Sequence, residues 1–143
     1  MSSSWITVIA VLVVAFGLAF AVGRLMTSRS GRLRGDKEWP ALDADDIARL
    51  RLSRTGPTVV HFTAEWCGPC VAVRRVVDQV CAEVPDAAHV ELDIDANPEA
   101  ARKLSVLSLP TTFIFDADGR QRYRASGVPT AADLRSALSA LLA

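Results

Sequence analysis

The sequence predicts an α/β domain, strands alternating with helices, behind one N-terminal transmembrane helix. Two stretches carry that reading. Residues 5–23 hold no charged side chain, and nineteen such residues approach the ~20 that a helix needs to cross a bilayer. Thr58–Thr63 is rich in β-branched and aromatic residues, as strands are, and Val73, Val76, Val77, Val80 and Val84 follow it at helical spacing. At 143 residues, the chain has room for one domain of about 100–110 residues and an appendage. Sixteen basic residues balance sixteen acidic ones, which leaves no electrostatic footprint for nucleic acid. Three cysteines are too few for a disulfide-stapled secreted fold.

Residues 1–4 form a short tail, and residues 5–23 are expected to be a retained anchor. Ala19-Phe20-Ala21 resembles a signal-peptide cleavage site, but the leading Met-Ser-Ser-Ser lacks the basic residues that such signals carry. Arg24, Arg29, Arg32, Arg34 and Lys37 all follow the span in a basic linker, residues 24–37, that is also rich in Ser and Gly. By the positive-inside rule this asymmetry puts the C-terminal domain in the cytoplasm of a single-pass membrane protein. The same stretch would attract anionic headgroups.

The domain, residues 38–143, begins with Trp39–Leu42, a candidate short edge strand because Pro40 removes a ladder donor. Asp43–Arg54 is expected to be helical, with Ile47, Ala48, Leu50 and Leu52 apolar. Thr55-Gly56-Pro57 turns into the strand Thr58–Thr63, and the valine-rich helix runs to about Pro85. His89–Ile94 is a second strand. Asn97 is expected to cap a helix that has Pro98 in its first position and ends near Leu104. Thr111–Phe115 and Gln121–Ala125 form a hairpin around Asp116-Ala117-Asp118-Gly119. Thr130 and Asp133 make a capping box for a last helix burying Leu134, Leu138 and Leu141.

The chemistry concentrates at Trp66-Cys67-Gly68-Pro69-Cys70, the junction of the first strand and its helix. Unpaired N–H groups and the helix dipole favour negative charge there, hence a thiolate. Cysteines at i and i+3 share a helix face, so a disulfide between them is geometrically open, and Pro69 in the first turn costs little. A zinc site would need two more ligands. Cys81, His61 and His89 are the candidates and none forms a paired spacing, so no metal is expected, and no cofactor. Cys81 reads as a small buried hydrophobe.

Ala64-Glu65-Trp66-Cys67-Gly68-Pro69-Cys70 resembles the active-site motif of the thioredoxin family. Asp93-Ile94-Asp95-Ala96-Asn97-Pro98, Leu109-Pro110-Thr111 and Gly127 resemble further family features, in the family order and over roughly residues 38–143. The resemblance implies a thioredoxin fold, a mixed central sheet with helices on both faces. It implies that Cys67 attacks a client disulfide and that Cys70 resolves the mixed disulfide. It also implies a cis bond before Pro110, with Leu109 offering backbone groups to an extended client and Trp66, Gly68, Pro69 and Gly127 completing the binding rim. Client proteins with disulfides, an upstream reductant such as a thioredoxin reductase, and the membrane are the partners expected. The Gly68-Pro69 dipeptide resembles the reducing members of the family.

Four positions depart from it. His61 stands where members carry a buried Asp, and Glu91 where they carry its Lys partner; Thr63 replaces a Trp, and Arg75 a helix-kinking Pro. A His61 oriented by Glu91 is a candidate proton acceptor for Cys70, with an unperturbed pKa near 6.5. The reading is a membrane-tethered thiol-disulfide oxidoreductase that reduces clients. The alternatives are a reductase of envelope proteins on the extracytoplasmic side and a redox-gated binding platform without turnover.

Overall fold

The computed structural model describes residues 2–28, 30–35, 38–39 and 42–143, in two compact units, Met1–Ser30 and Gly31–Ala143. The first unit is α1, Ser2–Thr27. It extends past residues 5–23 at both ends. Its 24-residue stretch Ser4–Thr27 has the length and composition of a membrane span or a signal sequence, and at ~1.5 Å per residue exceeds the ~30 Å hydrocarbon core.

In the second unit a four-stranded sheet has the order β2-β1-β3-β4, built from β1 Thr58–Thr63, β2 Ala88–Asp93, β3 Thr111–Phe115 and β4 Gln121–Ser126. Strands β1 and β2 run parallel, joined by α3, Gly68–Glu83, whereas β3 pairs antiparallel with both β1 and β4. Every residue of β1 and β3 is buried, as expected for central strands covered on both faces. Side chains alternate between the faces. Val60, Phe62, Val90, Leu92, Phe113 and Phe115 pack on one face with residues of α2, Ala44–Arg49, and α4, Pro98–Lys103. Val59 and Ile114 pack on the other with Val73, Val77 and Val80 of α3 and Leu134 and Leu138 of α5, Ala131–Leu142. The mixed sheet with helices on both faces is the architecture expected.

Five local expectations change. The domain starts at Gly31 and not at residue 38, because the Gly31 N–H donates to Ser126 O and Arg34 bridges Arg124 on the free edge of β4. Gly31 sits at φ 83°, and a Cβ there would collide with the Val128 carbonyl, so the docking needs glycine. The edge strand expected at Trp39–Leu42 is not formed at Trp39 or Leu42, which carry no strand pairing. Pro40 and Ala41, and Arg29 and Lys37 of the basic stretch, lie outside the described residues.

The helix expected over Asp43–Arg54 stops at Arg49. Arg51 turns left-handed (φ 53°), and its N–H and that of Leu52 donate back to Ala48 O and Ile47 O. This is a Schellman ending. Asn97 precedes α4 but makes no side-chain cap; its Nδ2 donates to Asp93 O. The Asp93 carboxylate instead accepts from the N–H groups of Asp95 and Ala96 and shapes that turn. At α5, Thr130 Oγ1 accepts from Asp133 N, the one half of the expected capping box that forms.

Candidate active site

Strand β1 ends at Thr63, and the turn that follows delivers Cys67 to the N-cap of α3 in an extended conformation, with Pro69 in the first turn. Cys67 and Cys70 are joined as a disulfide with Cα atoms 5.4 Å apart. Cys67 keeps 6% of its surface and Cys70 1%, because both pack with Ala64, Ile94 and Leu109. Cys70 Sγ lies 3.9 Å from the Phe62 carbonyl oxygen. Cys67 is thus the more accessible of the two.

The Leu109–Pro110 bond is cis. The Gly127 N–H donates to Pro110 O at 2.8 Å from a left-handed φ of 91°, which ties the end of β4 to the cis bond. Trp66, 74% exposed, stands beside Cys67. Two apolar side chains that the sequence reading passed over belong to the same neighbourhood by chain position: Val71, next to Cys70, and Leu107, 92% exposed, two residues before Leu109. The loop that carries Leu107 is held at its start by Arg124. Arg124 donates to the carbonyls of Leu104 and Ser105 while its guanidinium lies 5.0 Å over the Phe113 ring.

His61 is fully buried in the middle of β1. Parallel pairing sets it opposite Glu91, and Val59 opposite His89, so both histidines and Glu91 lie on the face covered by α3. His61 Nδ1 is 2.9 Å from His89 Nε2, and His89 Nδ1 is 2.8 Å from Asp78 Oδ1. His61 Nε2 approaches Glu91 Oε2 at 3.2 Å but makes no hydrogen bond. Glu91 is held by Arg74, whose Nε donates to Oε2 at 2.6 Å and whose Nη2 donates to Oε1. Arg74 and Asp78 stand four and eight residues after Cys70, one stripe down α3.

Burial, then the neighbouring His89 and the Arg74 charge, pull the His61 pKa down to about 4 against the pull of Glu91 and Asp78, so the ring is neutral at pH 7. The Arg74 guanidinium holds the Glu91 carboxyl below the usual carboxylate range. Burial, with Asp78 nearby, pushes the Cys81 thiol up to about 11, in keeping with a small packed hydrophobe. His61, His89 and Glu91 bring potential ligand atoms within 4.8 Å of one another. Both Glu91 oxygens already serve Arg74, however, whose positive charge would oppose a cation there. The sequence reading missed His89, Arg74 and Asp78 in this role. Their signals were the two-residue spacing of His89 and Glu91 on a strand and the four-residue steps from Cys70 on a helix.

The thioredoxin family model matches residues 46–140. A thioredoxin of Mycolicibacterium smegmatis is 36% identical over 107 residues, which cover 73% of this chain and 95% of that protein. A bifunctional thioredoxin reductase/thioredoxin of Mycobacterium leprae is 43% identical over 65 residues, 45% of this chain and 14% of that one. Among solved structures, chloroplastic thioredoxin z superposes with a TM-score of 0.59 at 26% identity, covering 76% of this chain and 98% of its own.

Proposed function

The chain belongs to the thioredoxin family and is a disulfide oxidoreductase with Cys67 and Cys70 as its redox pair, and we propose that it works as a membrane-tethered reductase of client disulfides with its domain in the cytoplasm. The observation that carries the reductase reading is the placement of the pair. Cys67 caps α3, where the dipole and free N–H groups favour its thiolate, and it packs against Leu109 of the cis loop. In the reduced enzyme the Cys67 thiolate attacks one sulfur of a client disulfide, and the client's other cysteine leaves as a thiolate. Cys70 then loses its proton and attacks Cys67 Sγ, which releases the client dithiol and closes the Cys67–Cys70 bond.

Clients would lie along the cis loop, with the backbone groups of Leu109 available to pair and Trp66, Gly68, Pro69 and Gly127 at the rim. An upstream reductase resets the pair; fusion of the Mycobacterium leprae relative to a thioredoxin reductase supports such a donor. For the anchor, α1 supplies a sufficient span; Arg24 lies in its last turn and Arg32 and Arg34 follow it, while residues 1–4 carry no basic side chain. An extracytoplasmic domain is the second reading, favoured by Ala19-Phe20-Ala21 within a helix that also fits a signal sequence.

The buried Cys70 thiol needs a proton acceptor before it can resolve the intermediate, and we assign that role to His61. Its ring is neutral at working pH and its Nε2 has no hydrogen bond. Glu91 contributes its charge across the strand pair, and His89 holds the ring's other nitrogen.

The test is turnover of a protein disulfide with NADPH and a thioredoxin reductase. Cys67→Ser should abolish it, and Cys70→Ser should accumulate mixed disulfides visible on non-reducing gels. Normal turnover by Cys70→Ser would refute the assigned roles. His61→Gln should slow resolution of a preformed mixed disulfide by on the order of 10²-fold, the low end for a positioned proton-transfer group. Alkylation of Cys67 should be unchanged in that variant.

A further inference from the structure

The chain contains two histidines, and the fold stacks them on each other, ring centroids 5.0 Å apart, on the sheet face where Val59 and Ile114 pack against α3. We propose that His61, His89 and Asp78 form a proton conduit from the buried end of the dithiol helix to solvent. The proposal rests on the reading of His61 as acceptor of the Cys70 proton and adds the route by which that proton leaves.

Exposure rises along the line, from 0% for the His61 side chain to 17% for His89 and 60% for Asp78. The partners assign the protons. The Asp78 carboxylate can only accept, so His89 Nδ1 donates to it. His89 Nε2 then offers a lone pair, so His61 Nδ1 donates to that nitrogen. This leaves a lone pair on His61 Nε2, fully buried, without a hydrogen bond, and turned toward another acceptor, Glu91 Oε2. Two neutral imidazoles carry two ring protons, whereas these contacts have places for three. The vacant place is the innermost one, where a proton from Cys70 would arrive. The charged and titratable groups that face the pair are Arg74 and Asp78 from α3 and Glu91 from β2. From β3, the paired residue is Thr112, whose Oγ1 is likewise buried without a hydrogen bond.

The passage balances as follows. Cys70–SH gives its proton to His61 Nε2. The Nδ1 proton of His61 moves to His89 Nε2, and the Nδ1 proton of His89 moves to Asp78 and on to water. One proton enters and one leaves, and no electrons move along the line. The electron pair left on Cys70 sulfur forms the bond to Cys67 Sγ. The client's cysteine departs with the pair of the broken bond and takes a proton from solvent. A ring held near pKa 4 is a poor resting place for a thiol proton, so an acceptor of this kind works only if it passes the proton on. The reverse passage supplies a proton to Cys70 when the reductase opens the disulfide.

The experiment uses the full chain in detergent, with stopped-flow resolution of a preformed mixed disulfide at pH 7 and ¹⁵N-labelled histidine rings read by NMR. The chain has no other histidine to confuse the spectra. Both rings should show Nδ1 protonated at neutral pH. His89→Ala should slow resolution on the order of tenfold or more, as a broken relay in acid–base catalysis should, and added imidazole should restore the rate because the free base can occupy the outer place. Imidazole should not restore His61→Gln. Asp78→Asn should slow resolution less than His89→Ala, since water reaches that end. If His89→Ala folds poorly, His89→Gln serves in its place, expected to be slow, with folding and Cys67 alkylation as controls.

Slow resolution in His61→Gln with normal rates in His89→Ala would overturn the conduit and leave His61 as acceptor. Normal rates in both would overturn the acceptor reading and the conduit with it. Ring signals that shift on addition of zinc at stoichiometric concentration would assign the vacant nitrogen to a metal and also overturn the proposal.

Discussion

At His61 a polar side chain is taken wholly into a β-sheet core, and the stability of the domain should record the cost of charging it. Its folded pKa, about 4, lies below the 6.5 of a free side chain. Between those values the unfolded chain binds the proton and the folded chain does not, so stability is intact above pH 6.5 and falls as pH drops toward 4. Urea unfolding at pH 7 and at pH 4.5 should differ by on the order of 3 kcal/mol at most from this group. His61→Gln should remove most of that slope. Glu91, its pKa depressed by Arg74, adds a loss only at lower pH, as the solution passes down through its folded pKa. A wild-type curve flat from pH 7 to 4.5 would show that the buried ring charges as readily as one in water.

The two short helices, α2 and α4, end the same way, and neither end uses glycine. Arg51 and Ser105 both adopt left-handed backbone, at φ 53° and 51°. After α4, Ser105 N donates to Arg102 O and Val106 N to Ala101 O, repeating the pattern at Arg51 and Leu52. What holds these endings is burial: Leu52 and Ala101 sit in the core, with Ile47 and Val106 packed against it. A side chain in that conformation costs on the order of 1 kcal/mol relative to glycine. Ser105→Gly should therefore raise domain stability by roughly that amount, measured by urea unfolding, without touching the carbonyl that Arg124 grips. A loss of stability would mean that the Ser105 side chain contributes something beyond its backbone.

Over the whole molecule, two units of different solvent preference share one chain. In α1, Trp5, Phe16, Phe20 and Met26 turn their apolar surface outward, while in the second unit the large apolar residues are mostly inside. An anchor of this length should keep the protein in the membrane fraction through a high-salt wash, which would release a protein held only by basic residues. A phosphatase reporter fused after Ala143, active only outside the cytoplasm, should stay silent. An active reporter would reverse the topology, and a mature chain starting near Val22 would establish cleavage.

Much of this protein could be read from its residues in order, because the relevant physics is local. The long apolar helix α1, the strand Thr58–Thr63, the Cys67–Cys70 junction with α3 and the hairpin at Asp116–Gly119 each follow from short-range pattern and turn chemistry. The helix end after Arg49 could not be read that way, since no glycine or proline marks it and long-range packing supplies the driving force. Nor could the docking of Gly31 on Ser126, which joins residues far apart in the chain. His61 and Glu91 could be set on facing strands from their order in the chain. That His61 bonds to His89, and Glu91 to Arg74, depended on the parallel register of β1 and β2 and on how α3 lies across them. Only the folded sheet sets that register, because a shift of one residue would send all three strand side chains to the opposite face.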